Sequence, residues 1–189
     1  FFFLVIRRPP RYPLVRSSAA SDVYKGQLLA LFQIVEYLRA FLFGRLGWSP
    51  MNAMLIISGA FGIFRKEAVV TVGGYRSDTI GEDMELVVRL HRHLRLGDKP
   101  YRITFVPDSV CWTEAPEDLR TLKNQRIRWQ RGLCESLTKH VDLMFHPKGG
   151  TIGWFAFPFM ALFEWIGPAS DIFGVCFFRV GVVVGFVSV

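Results

Sequence analysis

Two apolar runs near the end of the chain, 151–166 and 172–189, limit its fold more than any other feature, because each carries one charge only, Glu164 and Arg179. Runs so poor in charge need a cover other than water, and each approaches the roughly 20 residues that cross a bilayer as a helix. Two membrane helices are therefore expected, separated at Gly167-Pro168, where glycine and proline interrupt a helix. Lys123, Arg126, Arg128, Arg131, Lys139 and Lys148 precede the first run. Their charge predicts that the domain before it faces the cytoplasm, as in a bacterial-type inner (plasma) membrane protein.

Apolar residues make up 51% of the chain and mean hydropathy is +0.28, with the excess gathered at the two ends. The three cysteines, Cys111, Cys134 and Cys176, are too few and too widely spaced for a disulfide framework or a zinc-ligand pair. They read as small buried hydrophobes in a reducing compartment. A net charge of +7 suggests an anionic partner, but residues 1–27 hold five basic residues against Asp22 alone. Without that +4 the remainder is only +3, which gives no case for nucleic acid.

Residues 1–27 carry no fold expectation. The apolar block 1–6 precedes the basic block at Arg7, Arg8 and Arg11, the reverse of a signal peptide, and is too short for one. The stretch 17–26 resembles translated sequencing-adapter read-through, the alternative being a disordered natural tail. Neither end of the chain looks like a natural terminus, so the sequence reads as an internal piece of a longer protein.

Residues 28–43 show a helical period in Leu28, Leu31, Phe32, Val35, Leu38 and Leu42, with Gln33, Glu36, Tyr37 and Ala40 on another face. Gly44, Gly47 and Ser49-Pro50 are expected to end it. A short buried strand is expected at 54–57, a tight backbone passage at Ser58-Gly59-Ala60, and a short helix from Lys66 that closes at Gly73-Gly74. Thr79 and Glu82 have capping-box spacing, so a second helix is expected from there to Gly97, burying Leu86, Val87, Leu90 and Leu94. Residues 101–106 alternate as a strand, and a third helix is expected to open at Pro116, with Glu117 and Asp118 in its first turn, and to run to about His140.

Candidate chemistry lies in two places. Gly81-Glu82-Asp83 sets two carboxylates at a helix start, where Asp83 can point into a cleft and accept a proton from a hydroxyl nucleophile. The plainer reading is that both acids complement the helix dipole. Gln125, Arg128, Trp129 and Gly132 share one face of the third helix. A guanidinium fork suits a diphosphate and an indole suits the apolar face of a sugar ring, although a basic helix lying on anionic lipid has the same composition. His91 and His93, two apart, face different ways on a helix and read as solvated surface residues. Glu164 lies in an apolar run, where polarity points to pairing or function. Gly181 and Gly185 have a small-residue packing spacing of little weight.

Taken in order, Ser58-Gly59-Ala60-Phe61-Gly62-Ile63-Phe64-Arg65-Lys66, Val72-Gly73-Gly74-Tyr75, Gly81-Glu82-Asp83 and Gln125-Arg126-Ile127-Arg128-Trp129 resemble the second half of processive family 2 glycosyltransferases, the cellulose, chitin, hyaluronan and poly-N-acetylglucosamine synthases. The resemblance covers residue 28 to the end. It implies an α/β fold, part of a GT-A-type nucleotide-sugar transferase domain over 28–148, followed by transmembrane helices over 149–189. It further implies an inverting glycosyltransferase that moves a hexose or N-acetylhexosamine from a nucleotide diphosphate sugar to a polysaccharide or lipid-linked acceptor.

By that resemblance Asp83 is the general base, with Glu82 beside it, and Gln125, Arg126, Arg128 and Trp129 close over the diphosphate and the acceptor sugar. Ser58, Gly59 and Ala60 line the acceptor pocket, bordered by Gln33, Glu36 and Tyr37. Gly81 departs from the threonine common at its position, a change expected to be tolerated because the carboxylates remain. The Asp-x-Asp half of such enzymes is not in this sequence. Mg²⁺ or Mn²⁺ is therefore expected to be held mainly elsewhere, and the chain alone to be inactive. The rival expectation is a non-catalytic membrane-surface protein binding anionic lipid, which explains the basic helix but not Gly81-Glu82-Asp83 or the order of the motifs.

Overall fold

The computed structural model describes residues 29, 31–57, 62–106, 116 and 118–184. Over them the chain forms α1 (31–48), α2 (Lys66–Thr71), α3 (Glu82–Leu96), α4 (Leu119–Lys139) and α5 (150–184), with 3-10 turns at Val141–Leu143 and Pro147–Gly149.

Helix α1 keeps its expected period but continues past Gly44 and Gly47, ending with Ser49 as its C-cap. An interior glycine costs only about 1 kcal/mol relative to alanine, less than tertiary contacts return. The polar face of α1 turns inward. Gln33 is only 2% exposed, and its Nε2 donates to Pro116 O at 2.5 Å, whereas Leu31, Phe32 and Val35 are 58–66% exposed.

The short helix α2 closes where expected, with Gly73 and Gly74 at φ +89° and +74°, a left-handed turn that side chains resist. Helix α3 also ends as expected, at Gly97, and buries Leu86, Val87 and Leu90. Its start differs. The N-cap is Gly81, without a side-chain cap, and Thr79 Oγ1 donates instead to Glu135 Oε2 at 3.1 Å, so a distant carboxylate displaces the local capping box. Helix α4 likewise starts later than Pro116. Asp118 caps it by accepting from Thr121 N at 2.8 Å, and its end at Lys139 matches expectation.

The expected strands at 54–57 and 101–106 take no regular secondary structure, and no strand pairing forms among the described residues, so the α/β expectation finds no sheet there. Side chains take the place of a ladder. Asn52 donates to Tyr101 O at 3.0 Å and accepts from Ile103 N at 2.9 Å, and Ser49 Oγ accepts from Phe105 N at 3.0 Å. His91, expected at the surface, is instead fully buried between Met54 O (2.9 Å) and the Tyr101 hydroxyl (2.6 Å). Burial pushes its imidazole down to about 4, so it is neutral at physiological pH.

The core joins Met84 and Val88 of α3, Leu133 and Leu137 of α4, and Ile152, Ala156, Phe157 and Met160 of α5. The two expected apolar spans are thus one continuous helix rather than two. Wide π-turns over Met160–Ile166 lead into Gly167-Pro168, and such turns let a helix absorb a residue that breaks its ladder. Within α5, Ile152–Val182 is long and apolar enough to cross a membrane. Its first turns serve the core, while Ile172, Phe173 and Phe177 are 66–81% exposed. The expected break at the glycine and proline therefore does not divide the helix.

Candidate active site

The tip of α3 and the middle of α4 touch through bare backbone. A Cβ placed on Gly81 would lie 2.9 Å from Gly132 Cα, and one on Gly132 would lie 2.9 Å from Gly81 Cα, so neither position accepts a side chain without separating the helices. Three further contacts fix the crossing. Glu135 Oε2 accepts from Ile80 N at 3.1 Å as well as from Thr79, and Lys139 Nζ reaches Asp78 Oδ2 at 3.3 Å. The Ile80 amide, then the Thr79 hydroxyl, hold the Glu135 carboxyl below its ordinary range. The Arg76 fork holds that of Asp78 far below it.

Glu82 and Asp83 follow directly on this crossing, and Trp129 lies one helical turn before Gly132. The two candidate motifs, distant in sequence, therefore meet. Glu82 is exposed and Asp83 half-buried, its Oδ1 accepting from Met84 N at 2.8 Å. On α4, Arg128 is exposed, Trp129 is 36% exposed, and the Gln125 Oε1 is buried without a hydrogen-bond partner. Arg126 points elsewhere, pairing with Glu36 Oε2 at 2.5 Å and covering the Trp129 ring at 4.7 Å. Tyr37 meets the same indole at 6.4 Å between centroids, so Glu36 and Tyr37 of α1 lie against this part of α4. Ser58, Gly59 and Ala60 lie outside the described residues.

Three participants were missed by the sequence reading. Tyr75 is 56% exposed, its ring edge-on to Phe64, and burial first, then the charges of Asp83 and Glu82, push its hydroxyl up. Burial pushes the Arg45 guanidinium down while Asp83 draws it up, which places a cation of α1 in the field of Asp83. Glu135 is the third. Only its helical offset from Gly132 hinted at a role, and Tyr75 was visible only as the last letter of a motif.

Beneath the site, Glu85 is fully buried and accepts from Arg89 at 2.9 Å and from His140 Nε2 at 3.1 Å. Arg89 also donates to Val72 O, and to Gly74 O at 2.6 Å, which ties the turn before Tyr75 to α3. Among the described residues no three His, Cys, Asp or Glu side chains converge as a metal site. The residues described therefore do not fit a divalent cation by themselves.

A family model described as glycosyl transferase family group 2 matches residues 13–187. The chain belongs to that family. The match begins inside the segment that carried no fold expectation. Poly-beta-1,6-N-acetyl-D-glucosamine synthase of Staphylococcus aureus (strain COL) is 38% identical over 117 residues, which is 61% of this chain and 26% of the relative. The protein of the same name from Staphylococcus epidermidis is 34% identical over 115 residues, with the same shares. The chain thus spans about a quarter of the length of the curated relatives it matches. No solved structure matches it at a significant level.

Proposed function

We propose that the full-length protein is an inverting glycosyltransferase that passes N-acetylhexosamine from a nucleotide diphosphate sugar to a growing polysaccharide or a lipid-linked acceptor at the membrane. The observation that supports this reading is the Gly81–Gly132 crossing, which brings the backbone just before Glu82 and Asp83 against the helix that carries Arg128 and Trp129. The names of the similar synthases support the N-acetylhexosaminyl class.

In this reading Asp83 takes the proton of the acceptor hydroxyl while that oxygen bonds to the anomeric carbon. The bond from the anomeric carbon to the diphosphate oxygen breaks on the opposite face, and configuration inverts. Arg128 forks onto the departing diphosphate, Gln125 supplies amide contacts, Trp129 stacks on the sugar, and Glu82 adds negative field near the base. Arg126 acts through Trp129, whose ring it covers. Ser58, Gly59 and Ala60 line the acceptor side. Mg²⁺ or Mn²⁺ would be held mainly by residues outside this chain.

Residues 28–148 would form the acceptor-side part of an α/β transferase domain facing the cytoplasm, and 149–189 its membrane segment in a bacterial-type inner membrane. The outward apolar face of α1 and the length of α5 support contact with lipid. The 189-residue chain alone would be inactive.

The test is radiolabelled transfer by the full-length protein in membranes from a panel of nucleotide sugars, with and without Asp83→Asn. A fall of about 10²–10⁴-fold in transfer, with donor binding kept, is the expected result. Unchanged transfer removes Asp83 from the chemistry, and no transfer from any donor by the unmutated protein removes the function.

A further inference from the structure

Gln130 follows Trp129 directly and reaches across to α5, where its Nε2 donates to Trp165 O at 2.8 Å and Glu164 O at 3.3 Å. Those two carbonyls sit just ahead of Gly167-Pro168. The π-turns of Met160–Ile166 pass into α register at Gly167, so the amide of residue 168 would serve Phe163 O in the first register and Glu164 O in the second, and proline has no N–H. A carbonyl without a donor in an apolar helix is costly, more so where no water reaches it. An amide from outside the helix repairs the gap. The Gln130 Nε2 is within reach of both carbonyls, and its two hydrogens suffice to serve one each.

We infer that Gln130 is a positioning residue, fastening the Arg128–Trp129 turn of α4 to the membrane-length helix by supplying the donor that Pro168 lacks. On its other side this turn is held by Arg126 pairing with Glu36 and by Tyr37 against Trp129. Gln130 thus fixes the side of α4 that α1 does not. The consequence for turnover rests on the proposed transferase reading, whereas the fastening itself does not.

The test is a double-mutant cycle in the full-length membrane protein. Gln130→Ala and Gln130→Glu are each made with Pro168 and with Pro168→Ala, whose new N–H returns the missing backbone donor to this turn and lets it settle into α register, where that donor serves Glu164 O. In the Pro168 background kcat for transfer of radiolabelled N-acetylglucosamine from its nucleotide diphosphate is expected to fall about tenfold, with donor KM within about twofold. In the Pro168→Ala background the same substitutions should change kcat less than about twofold. Equal losses in both backgrounds, or none in either, overturn the inference.

Hydrogen exchange gives a reading that needs no turnover. Gln130→Glu should speed exchange in peptides covering 122–132 with Pro168, and much less with Pro168→Ala. Identical exchange in all four proteins overturns the fastening. An inactive unmutated protein would count against the transferase reading only, and the exchange arm would still decide the role of Gln130.

Discussion

The two halves of α4 are held by different physics. From Gly132 to His140 the helix is stitched to the lead of α3 by backbone contact, by Glu135 on a backbone amide and by the buried Glu85–His140 bond. From Gln125 to Gln130 it is slung between α1 and α5 by a half-exposed ion pair, a ring contact and one amide. The first kind of contact is anchored on backbone and on the buried Glu85, so it resists displacement. The second is more exposed to water, so it can yield. The proposed transferase has use for both, because a base there would hold its place while the groups proposed to meet the diphosphate would admit it and let it go.

The comparison is broken most severely by Glu85→Ala. That change leaves Arg89 without its carboxylate and should destabilise the protein by about 3–5 kcal/mol, read as a lower thermal midpoint. Equal loss from Glu36→Ala would erase the contrast between the halves. Acid should act next. His91 has a folded value of about 4 against an ordinary 6.5, so the unfolded chain takes up the proton first. Stability is whole above pH 6.5 and declines as pH falls to about 4, by on the order of 3 kcal/mol. His140, also pushed down mainly by burial, adds in the same direction. His91→Gln should flatten part of that decline in thermal scans.

Gly132→Ala sharpens the comparison at a smaller scale. The added methyl meets Gly81 Cα at 2.9 Å and N at 3.0 Å. Separating the helices should cost about 1–3 kcal/mol and lower kcat, measured side by side on one preparation. Gly81→Thr, which restores the residue common in the resembling enzymes, should behave alike. The smallest effect is expected from Glu36→Gln, since the partners of that pair are 33% and 39% exposed. The loss should stay under about 1 kcal/mol and vanish in high salt.

What could be read from the sequence was what local chemistry decides. The glycine stop of α2, the end of α3 at Gly97 and the end of α4 near His140 follow from residues within a turn of each boundary. Misreadings arose where a distant group overrode the local rule. Thr79 has a capping partner three residues on, but Glu135 takes its hydroxyl. The alternating segment 101–106 has its amides met by Asn52 and Ser49 rather than by a neighbouring strand. His91 reads as surface until Met54 and Tyr101 are brought to it. In the candidate site, the motif residues stand out by type and spacing, whereas Tyr75, Arg45 and Glu135 come near them through folding alone.

The unbroken course of α5 has one more consequence. Ile152–Val182 has 31 residues, about 46 Å of helix at 1.5 Å each, against roughly 30 Å of hydrocarbon in a typical bilayer. In the proposed membrane setting such a rod has room to lean about a foot embedded in the core through Ile152, Ala156 and Phe157. Lipid thickness then becomes a mechanical input to the protein: a thinner or thicker membrane changes the lean, and the lean is felt at the carbonyls that Gln130 grips.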